Sequence, residues 1–301
     1  MTRILVTGAK GFVGQALTKR LLDVPNLEVV AVTRQKLPAR DNLVPIAADL
    51  SQPGWTSTLD GRVDIVLHLA QSSQYQRFPD GGPDMVRVNI DSTAELLDWG
   101  RRNGVGRFIF TSTGSVYRSS TQPLNETSAC DAADMYAATK LSAEHIIMAY
   151  RPYFSVVIGR LFGIYGPGQT KGLFRTLYDR LGAGQPISLA DGKGLSITPL
   201  FIDDCAEALT RLATIANFDK EAETYNIAGG EIADIRQIVD VMAMAGCGTA
   251  SYKSVPGPAP SLIADNSKLI TALKWKPETD LRSGIASMVQ SLANKPAKLE
   301  E

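Results

Sequence analysis

Short apolar runs alternate along the chain with longer segments in which apolar residues recur every three or four positions. The runs "RILVT", "EVVAVT", "VDIVLHLA" and "RFIFTST" predict buried strands. The segments "QALTKRLLD", "MVRVNIDSTAELLDWGRRNG" and "MYAATKLSAEHIIMAY" have helical spacing, and Gly104 lies near the predicted end of the second. Nearly continuous apolar strands that alternate with helices indicate an α/β fold, with a doubly wound parallel sheet covered on both faces.

The composition of the sequence changes after about residue 165. Glycine and proline become frequent, as in "YGPGQTKG" and "VPGPAPS", and the remaining helical patterns are "DDCAEALTRLATIA" and "ADIRQIVDVMAMAG". A chain of 301 residues also exceeds the size at which one core usually stops growing. We therefore expect residues 1–165 to form the sheet domain. Residues 166–301 are expected to form a smaller, mainly substrate-binding α+β region, with some segments returning to the main sheet.

Composition narrows the class of ligand. Hydrophobic residues make up 44% of the chain, and Lys+Arg balance Asp+Glu at 31 each. This balance removes any global electrostatic argument for binding nucleic acid or an anionic membrane. No apolar run is long enough to span a membrane, and the N-terminal glycines come too early for a secretory signal. We expect a cytoplasmic protein with a small-molecule ligand.

The cysteines and histidines are too few and too scattered to indicate a metal site or a nucleophilic catalytic group. Cys130, Cys205 and Cys247 are scattered without a CxxC pair, which fits a reducing compartment and makes a zinc site or disulfide framework improbable. The only histidines are His68 and His145, and His68 lies within the apolar run "DIVLHLA". We expect His68 to be a packed side chain, and no metal to be bound.

The N-terminal segment "TGAKGFVG" places Gly8, Gly11 and Gly14 between a predicted strand and a predicted helix. Such a turn lets the backbone approach a pyrophosphate closely, and the following helix presents its N–H groups and positive dipole end to that anion. The spacing is GxxGxxG rather than the commoner GxGxxG. The pattern favours dinucleotide binding, although a tight strand-to-helix turn without a ligand has the same glycines.

The end of the second strand bears on the choice of nicotinamide cofactor. An acidic residue there binds the adenosine ribose, whereas an arginine accommodates a 2′-phosphate. The chain has Thr33 and Arg34, with Lys36 nearby and no acid, so the sequence favours NADP over NAD. Asp49, in "AADL", is placed either to meet the adenine or to cap a helix.

Several of these stretches resemble one family when they are taken in order. "TGAKGFVG", "AADL", "HLA", "VNIDSTAELL", "FTSTGSVY", "YAATK", "RLFGIYGPGQ", "FIDDCAEAL" and "YNIAGG" follow the order found in extended short-chain dehydrogenases/reductases, and more narrowly in their sugar-nucleotide epimerase/dehydratase/reductase branch. The resemblance runs from about Arg3 to about Ile285 and implies an NAD(P)-binding Rossmann domain. The expected cofactor-binding residues are Gly8, Gly11, Phe12, Val13, Gly14, Thr33, Arg34, Asp49, Leu50, Leu69, Ala70, Asn89, Ser112, Tyr136 and Lys140.

The "YAATK" segment supplies the expected catalytic pair. Tyr136 and Lys140 open a helix one turn apart on one face, after the strand that ends in "TSTGSVY". A phenol with a pKa of about 10 is a poor base at neutral pH, but a neighbouring ammonium and an oxidised nicotinamide would stabilise the phenolate. By the resemblance, Lys140 also binds the nicotinamide ribose, and Thr113 hydrogen-bonds the substrate oxygen. Thr113 could instead satisfy only a loop amide, and Asn89 could instead be a helix N-cap.

Departures from the family pattern limit the reaction and the substrate. Where 4,6-dehydratases have an Asp-Glu pair, this chain has Gly114 and Ser115, which disfavours dehydration. Gly163 replaces an asparagine that often contacts the nucleotide sugar, and Ile197 replaces an arginine that often holds the diphosphate. Lys171 or Arg175 could substitute for that arginine. The expected substrate-binding residues are Ser72, Thr113, Phe162, Gly163, Lys171 and Arg175.

Three functions remain open from the sequence. The favoured one is an NADP-dependent reductase or dehydrogenase acting on a sugar or sugar-nucleotide carbinol or ketone. The alternatives are a sugar-nucleotide 4-epimerase that retains its cofactor, and a non-catalytic dinucleotide sensor. The resemblance also implies a homodimer formed through helices at about 85–103 and 135–150, for which the apolar residues Leu141, Ile146 and Ile147 are suitably spaced.

Overall fold

A computed structural model describes residues 1–35, 37–214 and 222–294. Lys36, which entered the cofactor prediction, lies outside these residues. The strands are β1 (Thr2–Thr7), β2 (Leu27–Thr33), β3 (Leu43–Ala47), β4 (Ile65–His68), β5 (Arg107–Thr113), β6 (Ser155–Leu161), β7 (Ile164–Tyr165), β8 (Ile187–Ala190), β9 (Ser196–Ile197), β10 (Leu200–Phe201), β11 (Ala222–Ile227), β12 (Ala233–Asp234), β13 (Tyr252–Val255) and β14 (Ser261–Leu262).

Seven strands form the main sheet in the order β11-β6-β5-β4-β1-β2-β3, and every neighbouring pair is parallel. The order reverses between β1 and β4. In open α/β sheets a ligand crevice forms at such a reversal, beyond the carboxyl ends of the strands. The edge strand β11 comes from the part of the chain beyond residue 165.

The helices are α1 (Phe12–Leu22), α2 (Gly82–Val86), α3 (Ser92–Arg102), α4 (Met135–Ala149), α5 (Leu173–Gly182), α6 (Ile202–Thr214), α7 (Ile235–Met244), α8 (Ser267–Leu273) and α9 (Leu281–Ala293). The long helix predicted before Gly104 consists of α2 and α3 joined by one π-helical turn at Arg87–Asp91. Widened turns of this kind often mark functional sites.

Alternate residues of the central strands pack into cores on opposite faces of the sheet. Ile4 and Val6 of β1 contribute to the core that contains α1, α6 and α8, whereas Leu5 contributes to the core that contains α3 and α4. The predicted doubly wound α/β fold is therefore confirmed. A third core, which includes Phe174, Ile238 and other residues of α5, α7 and α9, lies in the region after residue 165.

Two further properties concern the described residues alone. None of their helices has both the length and the apolar character needed to cross a bilayer. Cys130, Cys205 and Cys247 are free thiols, of which the last two are buried.

Candidate active site

The predicted site residues converge at the carboxyl edge of the main sheet. The glycine turn follows β1, Thr33 and Arg34 end β2, and Thr113 ends β5. The other members that directly follow or end strands of this sheet are Asp49, Leu50, Leu69, Ala70, Ser72, Ser112, Phe162 and Gly163. The parallel arrangement brings these residues together, because all the strands present the same end to this edge.

The β1–α1 turn requires glycine at two positions. Gly8 has a φ of 70°, and a Cβ there would lie 2.9 Å from the Ala70 nitrogen. A Cβ on Gly14 would lie 2.1 Å from the Gly8 carbonyl oxygen. Helix α1 begins at Phe12, with no side chain capping its N-terminus and no acidic residue in its first turn. Its first N–H groups and positive dipole end are thus available to an anion, which fits the pyrophosphate of a dinucleotide.

The end of β2 is basic and lacks a carboxylate at the predicted ribose position. Thr33 is buried and donates its hydroxyl hydrogen bond to the Gln35 carbonyl, while Arg34 is exposed. Lys10, from the glycine turn, donates from Nζ to Gln35 Oε1 at 2.8 Å. Asp49 is exposed, and its Oδ1 accepts the Ser51 N–H at 3.0 Å, so it closes a local turn after β3.

Thr113 and Tyr136 meet where β5 and α4 approach each other. Asp134 caps α4 by accepting the Ala137 N–H at 2.8 Å, which places Tyr136 in the first turn. The Thr113 side chain lies beside the Tyr136 phenol and lowers its pKa. Thr113 Oγ1 also accepts the Ser115 N–H at 3.2 Å. This bond is the loop-amide role considered for Thr113, and its contact with a substrate oxygen stays a prediction.

The pKa of Tyr136 is shifted in the direction opposite to the prediction. The sequence predicts that Lys140 favours the phenolate. Burial instead raises the pKa of the Tyr136 phenol, and the neighbouring Thr113 side chain only partly opposes that change. Lys140 is 1% exposed and donates from Nζ to the Thr111 carbonyl at 3.0 Å. Burial lowers the pKa of Lys140 to about 7, an effect opposed by the Glu144 carboxylate. The lysine thus bonds the sheet rather than the phenol.

Asn89 is a buried bridge and not a helix N-cap, because it lies inside the π-helical turn. Its Oδ1 accepts the Ser72 N–H at 2.9 Å, and its Nδ2 donates to Thr139 Oγ1 at 2.9 Å. The loop after β4 and helix α4 are therefore joined through one side chain. Ser72 is buried, and its hydroxyl donates to Asp84.

Two residues that contact Tyr136 were missed in the sequence analysis. Gln71 Oε1 accepts the phenol hydrogen bond at 3.0 Å. The ring of Tyr75 packs against the ring of Tyr136 with a centroid separation of 5.5 Å. The position of Gln71 directly after a central strand was the only available signal, since the sequence does not reveal that this loop crosses to α4.

A buried ion pair near the site was also not predicted from the sequence. Arg160 of β6 and Glu144 of α4 pair at 2.6 Å between Nη2 and Oε2, with side chains 8% and 5% exposed. Ser112, predicted to bind cofactor, donates its hydroxyl hydrogen bond to Glu144. The pair fixes α4 against β5 and β6, one turn beyond Lys140.

The two sequence departures have steric counterparts. A Cβ on Gly114 would lie 2.5 Å from the Phe162 ring, which is itself 1% exposed, so a larger side chain has no room there. A Cβ on Gly163 would lie 3.3 Å from Ile197 Cδ1. The positions of the missing asparagine and the missing arginine are therefore adjacent, and they form one apolar contact.

The two predicted alternative cations differ in their surroundings. Arg175 pairs with Asp179 one turn later in α5, at 2.8 Å from Nε to Oδ1. Lys171 is exposed just before that helix. Neither directly follows a strand of the main sheet.

His68 is a core residue, as predicted. It is 0% exposed, and its two ring nitrogens lie 2.7 Å from Thr7 Oγ1 and 2.9 Å from Thr93 Oγ1. Burial lowers its pKa to about 3, so the ring is neutral. Over the described residues, no cluster of three or more His, Cys, Asp or Glu side chains could hold a metal ion.

Comparisons with known proteins agree with this architecture. The model of the NAD dependent epimerase/dehydratase family matches residues 4–228. An uncharacterized UDP-glucose epimerase of Bacillus subtilis, YtcB, is 28% identical, with 97% of this chain and 98% of the relative covered. A dTDP-glucose 4,6-dehydratase of Streptomyces griseus is also 28% identical, with 96% and 93% covered.

Among solved structures, UDP-glucuronic acid 4-epimerase from Bacillus cereus in complex with NAD is similar with a TM-score of 0.86. It is 25% identical, and 98% of this chain and 99% of that one are covered. The fold, the glycine turn and the family match all lead to the same assignment. The chain belongs to the NAD-dependent epimerase/dehydratase family of extended short-chain dehydrogenases/reductases.

Proposed function

We propose that the protein is a sugar-nucleotide 4-epimerase, which oxidises one carbinol of its substrate and reduces the resulting ketone on the opposite face. The observation that carries this proposal is the position of Thr113 beside the Tyr136 phenol, next to Gly114, which has no room for a carboxylate. The sequence analysis favoured a net reductase. The names of the similar epimerases give more support to its alternative, a 4-epimerase with retained cofactor.

In this mechanism the Tyr136 oxygen takes the proton of the substrate hydroxyl and later returns it to the reduced carbon's oxygen. Thr113, held by the Ser115 N–H, orients the same substrate oxygen. Residues Gly8 to Gly14 would hold the dinucleotide pyrophosphate, and the oxidised nicotinamide supplies the hydride acceptor. Because burial raises the pKa of Tyr136, the phenol stays protonated at neutral pH, and removal of its proton needs a nearby positive charge.

Elimination of water requires an additional acid and base, which this site does not offer at the positions used by the dehydratases. Gly114 cannot carry a side chain without displacing Phe162, and Ser115 is not an acid at neutral pH. We therefore favour epimerisation over 4,6-dehydration, although dehydratases are among the relatives.

For the cofactor, we propose a preference for NADP. Arg34 and Lys10 flank the end of β2, where a carboxylate would select NAD. The relative from Bacillus cereus binds NAD, so this proposal separates the present chain from that enzyme. Titration of the purified protein with both dinucleotides tests it, and tighter binding of NAD would contradict it.

For the substrate, we propose that the diphosphate is held by Lys171. Arg175 already pairs with Asp179, and the Gly163–Ile197 contact offers no charge. A Lys171→Ala variant should raise KM for a UDP-sugar while leaving kcat nearly unchanged. An unchanged KM would contradict this role.

Cofactor retention tests the proposed function. An epimerase should be purified with dinucleotide that is released only on denaturation, and sugar turnover should produce no net reduced cofactor. Stoichiometric accumulation of oxidised or reduced cofactor during turnover would instead support the net dehydrogenase or reductase.

The remaining proposal concerns assembly. We propose a homodimer formed through α3 and α4, as the resemblance implies. Light scattering should then give twice the 32.4 kDa mass of the chain, and a monomer at micromolar concentration would contradict it.

A further inference from the structure

Gln71 contacts the proposed catalytic phenol but has no part in the mechanism above. Its side chain is exposed, and its Oε1 accepts the Tyr136 hydrogen bond at 3.0 Å. Thr113 also lies beside this hydroxyl and lowers its pKa. Gln71 therefore lies within reach of the oxygen that exchanges protons.

The backbone of Gln71 is fixed on both sides. The Ala70 N–H donates to Thr7 Oγ1 at 3.1 Å, and the Ser72 N–H donates to Asn89 Oδ1 at 2.9 Å. Both acceptors belong to buried residues of the sheet and the long helix. The main chain at Gln71 is thus held in place, whereas its side chain is exposed.

The same hydrogen bonds connect Gln71 back to Tyr136. Asn89 Nδ2 donates to Thr139 Oγ1 at 2.9 Å, and that hydroxyl donates to the Tyr136 carbonyl at 2.9 Å. Together with the contact between Gln71 and the phenol, these bonds close a ring between the loop and the first turn of α4. The separation between the amide and the phenol oxygen is therefore determined by buried contacts.

The Gln71 amide can form a hydrogen bond with Tyr136 in both the phenol and the phenolate form. A phenol donates one hydrogen bond, which a carbonyl oxygen accepts, whereas a phenolate can only accept. The glutamine amide has a carbonyl on one side and an NH₂ group on the other, and a half-turn about its last torsion exchanges them. A hydrogen bond to a charged acceptor is about twice as strong as one between neutral groups.

We propose that Gln71 is a positioning residue for Tyr136, whose amide accepts a hydrogen bond from the phenol and, after a half-turn, donates one to the phenolate. The inference rests on the proposed function in that it takes Tyr136 as the proton-exchanging group. The proton passes only between Tyr136 and the substrate oxygen. Gln71 neither gains nor loses one, and by preferring the charged form it favours ionisation of Tyr136.

Other groups around the phenol act on the same equilibrium. Tyr75 packs on the ring from the loop after β4, and Asp134 lies at the N-terminus of α4, and both oppose ionisation. Lys140 directs its ammonium to the Thr111 carbonyl. These groups are unchanged in a Gln71 variant, so a shift in the pKa of Tyr136 reports on the amide.

The test measures ionisation of Tyr136 without any sugar. The full chain is labelled with 3,5-difluorotyrosine, whose phenol ionises at lower pH, and the Tyr136 signal in fluorine NMR is identified by its loss in Tyr136→Phe. Gln71→Met removes the amide at similar length and should raise the pKa of residue 136 by about one unit or more. Gln71→Glu should raise it further, because a carboxylate opposes the phenolate. Gln76→Met, on the same loop and exposed, is the matched control and should leave it unchanged.

An unchanged or lowered pKa of residue 136 in Gln71→Met would overturn the inference. Circular dichroism verifies that the variants fold, and Gln71→Leu, which also removes the amide without adding charge, gives the answer if the methionine variant does not fold. Because no sugar is used, failure of the proposed function is distinguishable. A protein that turns over no UDP-sugar but shows the shift refutes the function and supports the role of Gln71.

Discussion

The Tyr136 hydroxyl is held in position by a hydrogen bond, but its raised pKa disfavours the phenolate that a base requires. Its hydroxyl donates to Gln71 and lies beside Thr113, and burial raises its pKa. The neutral phenol is therefore the stable form until positive charge approaches. This explains why the neighbouring lysine alone does not make a phenolate, since Lys140 is itself buried and bonded to the sheet.

Replacement of Tyr136 by phenylalanine removes only the hydroxyl group. We predict that turnover falls by about 10²- to 10⁴-fold, the usual contribution of a positioned acid/base group. The unfolding midpoint should change little. Turnover close to that of the wild type would exclude Tyr136 as the proton-exchanging residue.

Gly114→Ala tests the steric account of the missing dehydratase acid. The added methyl group would lie 2.5 Å from the Phe162 ring, and such overpacking costs about 1–3 kcal/mol of stability. Phe162→Leu opens space, so in that background the same change should cost less. Denaturant unfolding of the two single variants and the double variant measures the coupling. Strictly additive losses would show that Phe162 does not restrict this position.

At the scale of elements, the site depends on the packing of strand β5 against helix α4. Strand β5 and helix α4 were predicted nearly to their ends, because local apolar spacing defines them. The π-helical turn was not predicted, because its helical pattern is continuous and only the inward position of Asn89 distinguishes it. The contact between Gln71 and Tyr136 was also missed, since it joins residues 65 positions apart.

The β1–α1 turn gives a prediction at this scale. Gly14→Ala would place a methyl group 2.1 Å from the Gly8 carbonyl, so the turn must open and the helix N-terminus must move. We predict that dinucleotide affinity falls by at least about tenfold, measured by isothermal titration. Gly182→Ala, near the end of α5 with nothing within 4 Å of the new methyl group, is the matched control and should bind normally. Equal affinity in both variants would contradict a dinucleotide site at this turn.

For the molecule as a whole, the sequence predicted the layers but not every pairing across the site. Apolar strands and amphipathic helices determine a doubly wound sheet, and a parallel sheet gathers its carboxyl ends at one edge. Gly163 and Ile197 were recognised separately as departures, and only the folded chain shows them in contact. Such long-range adjacency depends on the packing of the region after residue 165, where local patterns are weak.

Acid sensitivity is a property of the whole fold that His68 should influence. Its pKa is about 3 in the folded protein, compared with an ordinary value of about 6.5. Between these values the unfolded chain binds a proton that the folded chain does not, so stability falls as pH decreases, by about 1.4 kcal/mol per pH unit from this group. Urea unfolding from pH 7 to pH 4 should show a weaker pH dependence in His68→Gln than in the wild type. The exposed His145→Gln is the control, and identical slopes for wild type and His68→Gln would contradict the assignment.

The most direct test of the central claim is proton NMR of a UDP-sugar incubated with the purified protein and its dinucleotide. UDP-glucose and UDP-glucuronic acid are the first substrates to use, since similar proteins carry those names. The account predicts interconversion of the two configurations at C4, approached from either epimer and without net change in cofactor. A product that has lost water, such as a 4-keto-6-deoxy sugar, would contradict it.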